Sequence, residues 1–92
     1  MSFVIRFDKK FVHGLHKLRH HDDVLQIYER MLGKLERLGP RAGKLLEEKS
    51  HLYELKEKHP PLRLYFLAQG DTITLLQLDV KDHQKQFLRR FS

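Results

Sequence analysis

Apolar residues recur along this chain with two different periods, and the period changes once, near the middle of the sequence. In the first half they recur every three or four positions, over Asp8–Arg19 and then along a longer stripe that ends before Gly39. This spacing predicts two amphipathic helices, with Asp8 and either Asp22 or Asp23 as candidate N-caps. The stripes consist of Phe11, Leu15 and Leu18 in the first helix and of Val24, Ile27, Met31, Leu35 and Leu38 in the second.

Strand patterns flank the two predicted helices. Phe3–Phe7 is a short apolar run with β-branched and aromatic residues, which predicts a first strand. After the predicted loop Gly39–Lys49, three segments predict a meander of strands, and Lys81–Phe91 returns to helical spacing. The three segments are His51–Lys58, Leu62–Ala68 and Thr72–Val80. The order β-α-α-β-β-β-α favours an α+β fold: a small antiparallel sheet, two N-terminal helices packed on one face, and a short C-terminal helix.

The length and composition favour a single domain over residues 1–92. The chain has 92 residues and no cysteine, which excludes disulfides and thiolate metal sites. No apolar run approaches the roughly 18 residues needed to span a bilayer, and the N-terminal residues lack the apolar segment of a secretion signal. We therefore expect a cytoplasmic protein that does not bind a membrane.

The chain is basic. Lysine and arginine number 18 against 12 acidic residues, and the formal net charge is +6. Such a surplus is typical of domains that bind phosphate, so nucleic acid is the expected partner. A small domain can also carry this charge for solubility alone, and the charge therefore needs support from specific residues.

One predicted strand gathers basic side chains on a single face. Lys56 and Lys58 are two residues apart, so both side chains leave the same face, and Arg63 on the next strand can point there too. Crowding of cations favours the neutral form of a lysine, whereas an arginine stays charged and can hold a phosphate. Alternating lysine and glutamate residues are also typical of a solvated outer face.

The same region resembles a known family. The stretches Leu52-Tyr53-Glu54-Leu55-Lys56 and Arg63-Leu64-Tyr65-Phe66, with the element order, resemble the RelE/ParE toxin superfamily, and in particular its HigB-like, phage-derived branch. The end of the last strand is similar to that branch's basic motif through Leu75, Leu76, Val80, Lys81, His83, Gln84 and Lys85. The chain departs from the branch at Asp79 and Asp82, where an aromatic residue and a lysine are usual, and it has no tyrosine in the tail.

The resemblance implies the toxin of a type II toxin–antitoxin system. The resemblance implies that such a toxin cleaves mRNA at the ribosome without a metal or another cofactor and is held inactive by a cognate antitoxin protein. The ribose 2′-hydroxyl attacks the adjacent phosphorus, which requires a base, positive charge on the phosphate and an acid for the leaving oxygen. The alternatives are a ParE-like toxin that inhibits DNA gyrase through protein contact and a noncatalytic RNA-binding module.

Candidate roles follow for eight residues. Arg63 is the candidate phosphate clamp, and Lys56 the base or charge stabiliser. Glu54 lies on the same predicted face and is either an alternative base or the salt-bridge partner of Lys56. His83 is the candidate acid, because histidine titrates near neutral pH. The remaining candidates are Lys58, Lys81 and Lys85 for binding RNA phosphates and Tyr65 for stacking on a base.

Three histidines share the exposed face of the first predicted helix. His13, His16 and His20 lie at helical spacing opposite the apolar stripe. A surface metal site is conceivable there, but no carboxylate shell accompanies the histidines, and a solvated face is the preferred interpretation.

Overall fold

Five strands form one sheet in the order β1-β5-β4-β3-β2, with two helices packed on one of its faces. The computed structural model describes residues 2–58 and 61–80. The elements are β1 (Val4–Phe7), α1 (Lys9–Lys17), α2 (Asp22–Leu38), a 3-10 turn (Gly39–Ala42), β2 (Lys44–Glu47), β3 (Leu52–Lys58), β4 (Pro61–Gln69) and β5 (Thr72–Val80). The predicted C-terminal helix lies outside the described residues.

The α+β class is confirmed, but the sheet is mixed rather than wholly antiparallel. Strands β3 to β5 form the predicted antiparallel meander, and the unpredicted β2 pairs antiparallel with β3. Strand β1 instead pairs in parallel with β5, where Val4 lies opposite Thr72 and Phe7 opposite Leu75. A parallel pairing needs a long connection between the two strands. Here the connection from β1 to β5 comprises α1, α2 and the strands β2 to β4.

The helix ends show how local sequence sets the element boundaries. Asp8 caps α1, because its carboxylate accepts a hydrogen bond from the backbone N–H of Lys10 at 3.0 Å. Helix α2 has His21 at the N-cap without a side-chain bond, so the prediction of an aspartate cap is wrong there. Asp22 and Asp23 lie in its first turn instead, where negative charge interacts favourably with the helix dipole.

Two glycines allow close contacts at the end of α2 and before β2. Gly39 ends α2 with φ +59°, and a Cβ there would lie 2.4 Å from the ring of Phe3. A Cβ on Gly43 would lie 2.7 Å from the carbonyl oxygen of Glu54 and 3.1 Å from the Phe66 ring. The chain can therefore pass directly over β3 before it enters β2, an edge strand that the sequence did not predict.

The hydrophobic core lies between the helices and one face of the sheet. Rings pair within it: Phe11 packs on Tyr28 with centroids 5.8 Å apart, and Tyr53 stacks on Phe66 at 5.5 Å. The buried set contains Phe11, Leu18, Val24, Ile27, Tyr28, Met31 and Leu35 from the helices and Leu55, Leu62, Leu64, Phe66, Ala68, Ile73, Leu75, Leu78 and Val80 from the sheet. Leu38, predicted on the apolar stripe, is 40% exposed.

The opposite face of the sheet, which we call the open face, is not covered by either described helix. Alternation along β3 sends Tyr53 and Leu55 into the core and Glu54 and Lys56 to the open face, as predicted. Arg63 and Tyr65 of β4 lie on this face as well.

Candidate functional site

Strands β3 and β4 bring the predicted basic residues together. Lys56 lies directly opposite Arg63 in the antiparallel register, Glu54 lies opposite Tyr65, and Lys58 lies opposite Pro61. Directly opposed residues have Cβ atoms about 5 Å apart and share one face of the sheet. The structure therefore places Lys56 and Arg63 side by side on the open face, with Glu54 and Tyr65 in the adjoining row.

Strand β5 adds a carboxylate to this group. Asp79 lies opposite Arg63 on the other side of β4, so one row across the sheet reads Lys56, Arg63, Asp79. Gln77 lies opposite Tyr65 in the neighbouring row, and its Nε2 donates a hydrogen bond of 2.7 Å to Oδ1 of Asp79. Asp79, in sequence only a departure from the family motif, was not predicted to lie in the site.

A β-bulge explains the orientation of Asp79. Gln69 pairs with Thr72 at the hairpin turn, and this register holds as far as Phe66 and Leu75. Leu76 is then an extra residue on β5, so that Tyr65 pairs with Gln77. Without the extra residue the hairpin register would place Leu78 opposite Arg63. The bulge sends Leu78 and Val80 into the core and Asp79 to the open face.

A cleft of about 270 Å³ opens at the end of β3 and β4. Ligand pockets for whole small molecules are usually about 300–1,000 Å³, so this space suits one linkage of a larger substrate. Both carboxylate and cationic side chains border it. Its lining consists of Lys56, Glu57, Lys58, Pro61, Leu62, Arg63 and Asp79.

Glu54 is the counter-ion of Lys56. Oε1 of Glu54 lies 3.4 Å from Nζ of Lys56, and the glutamate side chain is 8% exposed while the lysine side chain is 58% exposed. The buried carboxylate thus contacts the ammonium group of a lysine whose side chain is otherwise largely exposed to solvent. Of the two roles considered for Glu54, this contact favours the one that orients Lys56.

The site is less strongly positive than the predicted cluster of cations. Lys56, Lys58 and Arg63 do lie together, but Glu54 and Asp79 are interleaved with them. The predicted cluster of cations is therefore not free of counter-ions, since a carboxylate oxygen lies 3.4 Å from Nζ of Lys56. This weakens the argument for Lys56 as a base.

Tyr65 lies in the middle of these charges. Burial raises the pKa of its phenol above the ordinary value of 10.0, and the nearby carboxylates of Asp79 and Glu54 raise the pKa further. A hydrogen bond with Arg63 and the charge of that guanidinium act in the opposite direction, and the net shift is upward. Tyr65 therefore stays neutral at physiological pH, and its predicted role in stacking stays a prediction.

The remaining predicted residues belong to the end of the chain. Lys81, His83 and Lys85 lie outside the described residues, so their predicted roles stay predictions. Across residues 2–58 and 61–80, no group of three or more histidine, aspartate, glutamate or cysteine side chains is arranged to hold a metal ion. This includes the face of α1 that carries His13, His16 and His20. In the same two stretches no helix is long and apolar enough to cross a membrane.

Comparisons with known proteins place the fold. No protein-family profile and no curated protein sequence matches the chain. Among solved structures, a chain of the toxin–antitoxin complex RelBE2 from Mycobacterium tuberculosis aligns with a TM-score of 0.70 and 23% identity over 87% of this chain and 92% of that chain. The E. coli toxin RelE, as a mutant in the free state, aligns at 0.67 with 15% identity over 100% of both chains.

A further neighbour has a higher identity but no named activity. A conserved hypothetical protein from Helicobacter pylori aligns with a TM-score of 0.62 and 27% identity over 87% of this chain and 96% of its own. These similarities show that the chain shares the RelE-like fold, whereas the HigB-like branch stays a prediction. With its mixed five-stranded sheet and two covering helices, the chain has the fold of RelE-type toxins.

Proposed function

We propose that this protein is the toxin of a toxin–antitoxin system and an endoribonuclease that cleaves mRNA on the ribosome. The observation that carries the proposal is the pairing of Lys56 with Arg63 above one cleft of a RelE-like fold, with Lys58 on the same rim. Phosphoryl transfer through a pentacoordinate phosphorus gathers negative charge on the nonbridging oxygens. Fixed cations next to the phosphate stabilise that charge more strongly than water does.

Arg63 is the phosphate clamp in this proposal. Its guanidinium can donate two parallel hydrogen bonds to phosphate oxygens and remains charged at all relevant pH values. Tyr65 lies in the adjoining row, where its phenol is near enough to the Arg63 guanidinium to interact with it. The cleft beside it has room for one linkage, which fits an enzyme whose substrate is presented by a larger particle.

The proposed partners are the ribosome with its mRNA and a cognate antitoxin. A surface with a net charge of +6 suits both ribosomal RNA and an acidic protein segment. The structural neighbour from M. tuberculosis is part of a toxin–antitoxin complex, which supports an antitoxin for this chain as well. Since translation is the target, the proposed site of action is the cytoplasm.

The test uses purified protein and ribosomes programmed with a short defined mRNA. We expect cuts within the codon that lies in the ribosomal tRNA-binding site left without a tRNA. We expect no cuts in the same mRNA when ribosomes are omitted. Arg63→Ala should lower the single-turnover rate by about 10²–10³-fold, since it removes a fixed donor to the developing charge. Arg63→Lys keeps the charge but loses the forked geometry of the guanidinium. Its rate should lie between that of the wild-type protein and that of Arg63→Ala.

Arg30→Ala is the matched control, because Arg30 is an exposed arginine of α2, remote from the open face. Circular dichroism melting curves of all variants separate loss of chemistry from loss of folding. Intact mRNA with the wild-type protein would refute the nuclease proposal. Inhibition of gyrase supercoiling in that case would identify a ParE-like toxin, and RNA binding without cleavage would identify a noncatalytic module.

A further inference from the structure

We propose that Asp79 is the general base of the cleavage reaction and that Lys56 is its general acid. This assignment rests on the proposed nuclease function and adds to it a catalytic residue, Asp79, that the sequence analysis did not include. It follows from the order of the three side chains in one row of the sheet, with Arg63 in the middle.

The row has the geometry that an in-line displacement requires. The attacking 2′-oxygen and the leaving 5′-oxygen occupy opposite sides of the phosphorus, so a base and an acid must stand on opposite flanks of the phosphate. Neighbouring strands are about 4.8 Å apart, which puts Asp79 and Lys56 roughly 10 Å apart with Arg63 between them. A phosphate bound to Arg63 would thus have a carboxylate on one side and an ammonium group on the other.

The surroundings of Asp79 suit a base. Its Oδ1 accepts the hydrogen bond from Gln77, which fixes the plane of the carboxylate and leaves Oδ2 for another partner. Within residues 2–58 and 61–80, Asp79 forms no salt bridge, although it is half-buried and lines the cleft. A carboxylate that is oriented but not neutralised by an ion pair can accept the proton of a ribose hydroxyl.

The surroundings of Glu54 suit a different role. Its side chain is 8% exposed, its Oε1 already faces the ammonium group of Lys56, and it does not line the cleft. Glu54 is therefore a positioning residue for Lys56. The salt bridge to this carboxylate orients the Nζ of Lys56, and a protonated lysine can donate its proton to a leaving oxygen.

The proposed reaction balances without any further reactant. Asp79 takes the proton of the 2′-hydroxyl, the 2′-oxygen forms a bond to phosphorus, and the bond from phosphorus to the 5′-oxygen breaks. The 5′-oxygen takes a proton from Lys56. The products are a 2′,3′-cyclic phosphate and a 5′-hydroxyl, and exchange with water returns the proton from Asp79 and restores the one on Lys56.

A simple counter-ion role for Asp79 predicts the opposite behaviour. If the carboxylate only balanced the charge of Arg63, its removal would strengthen the attraction of the site for phosphate. Asp79→Asn would then bind RNA more tightly and cleave it at least as fast as the wild-type protein. As a general base, Asp79 instead contributes about 10²–10⁴-fold to the rate, and the same variant would bind RNA but cleave it more slowly by that factor.

The experiment compares two linkages in the mRNA of programmed ribosomes under single-turnover conditions. One mRNA has the normal 5′-oxygen at the scissile position, and the other has a bridging 5′-sulfur, which leaves readily as a thiolate without an acid. We expect Asp79→Asn to be slow on both linkages by about 10²–10⁴-fold. Lys56→Met should be slow on the oxygen linkage and close to the wild-type rate on the sulfur linkage.

Matched controls make each outcome decisive. Asp71→Asn makes the same change in charge at the exposed hairpin turn, away from the cleft, and should cleave like the wild type. Rescue of Lys56→Met by the sulfur linkage also shows that this variant is folded. Full activity of Asp79→Asn would overturn the assignment of the base, and lack of rescue would overturn that of the acid. A wild-type protein that cuts neither mRNA would instead refute the proposed function itself.

Discussion

Replacement of Gly39 by alanine tests the local structure that joins α2 to the sheet. Gly39 has φ +59° and ψ −136°, a conformation that residues with a side chain rarely adopt. The new Cβ would also lie 2.4 Å from two ring atoms of Phe3, closer than any real Cβ contact. Phe3 precedes β1 and packs against the core, and its backbone N–H bonds to the carbonyl of Glu36 at 2.9 Å.

The expected cost is the sum of backbone strain and lost packing. Strain at a residue forced into such a conformation is of order 1–3 kcal/mol. Displacement of the partly buried Phe3 ring also removes part of the hydrophobic stabilisation that a buried phenylalanine provides, about 1–2 kcal/mol. Gly39→Ala should therefore lower the free energy of unfolding by about 2–5 kcal/mol, a large part of the stability of a small domain.

Urea titrations followed by circular dichroism measure this difference, with Gly14→Ala as the matched control. Gly14 lies inside α1, and a Cβ there would meet no atom within 4 Å, so its replacement should stabilise the protein by about 0.5–1 kcal/mol. In a double-mutant cycle, Phe3→Ala should relieve the clash and make the two substitutions less than additive. Equal effects of the two alanine variants, or full additivity in the cycle, would refute the account.

Three further measurements test the core and the surface. Burial raises the pKa of Tyr28 to about 12, while the unfolded phenol ionises near 10. The neutral phenol therefore contributes fully to the free energy of unfolding below pH 10, and this contribution is lost as pH rises through 12. Between pH 10 and 12, Tyr28→Phe should lose up to about 2 kcal/mol less of its free energy of unfolding than the wild type. Phe66→Ala should cost about 3–5 kcal/mol in urea titrations, because Phe66 is fully buried; a loss under 1 kcal/mol would contradict its central place. Lys34→Met should cost less than about 1 kcal/mol, since the 2.8 Å bridge of Lys34 to Glu57 is partly exposed, and a large loss that persists in high salt would argue against this.

Periodicity was sufficient to predict most of the fold. The helices and the strands β3 to β5 follow from apolar spacing, and their inward and outward residues agree with it except at Leu38 and beyond the bulge at Leu76. Strand β2 was missed because Leu45 and Leu46 are adjacent and both exposed, so the segment has no alternation. Its register with β3 is itself irregular between Leu45 and Glu47. The parallel pairing of β1 was missed because no local pattern records which distant strand a segment joins.

The candidate site was predictable only where the alternation is regular. Lys56 and Arg63 lie on strands that alternate without interruption near the site, so their common face could be inferred. Asp79 lies beyond the bulge at Leu76, and an unbroken hairpin register would have put it on the wrong face. The adjacent leucines at 75 and 76, followed by a clean alternation of opposite phase, are the sequence signal that could have revealed it.

The parallel pairing of β1 with β5 has a consequence for how the protein matures during synthesis. Val4 emerges from the ribosome early, yet its partner Thr72 and the rest of β5 follow only after nearly all of the described chain has been made. Contacts so far apart in sequence form late in folding. The cleft also lacks Asp79 until β5 has been synthesised and has emerged from the ribosome. A nascent chain therefore lacks the complete cleft, and with it the activity we propose, until nearly all of the described residues have been synthesised.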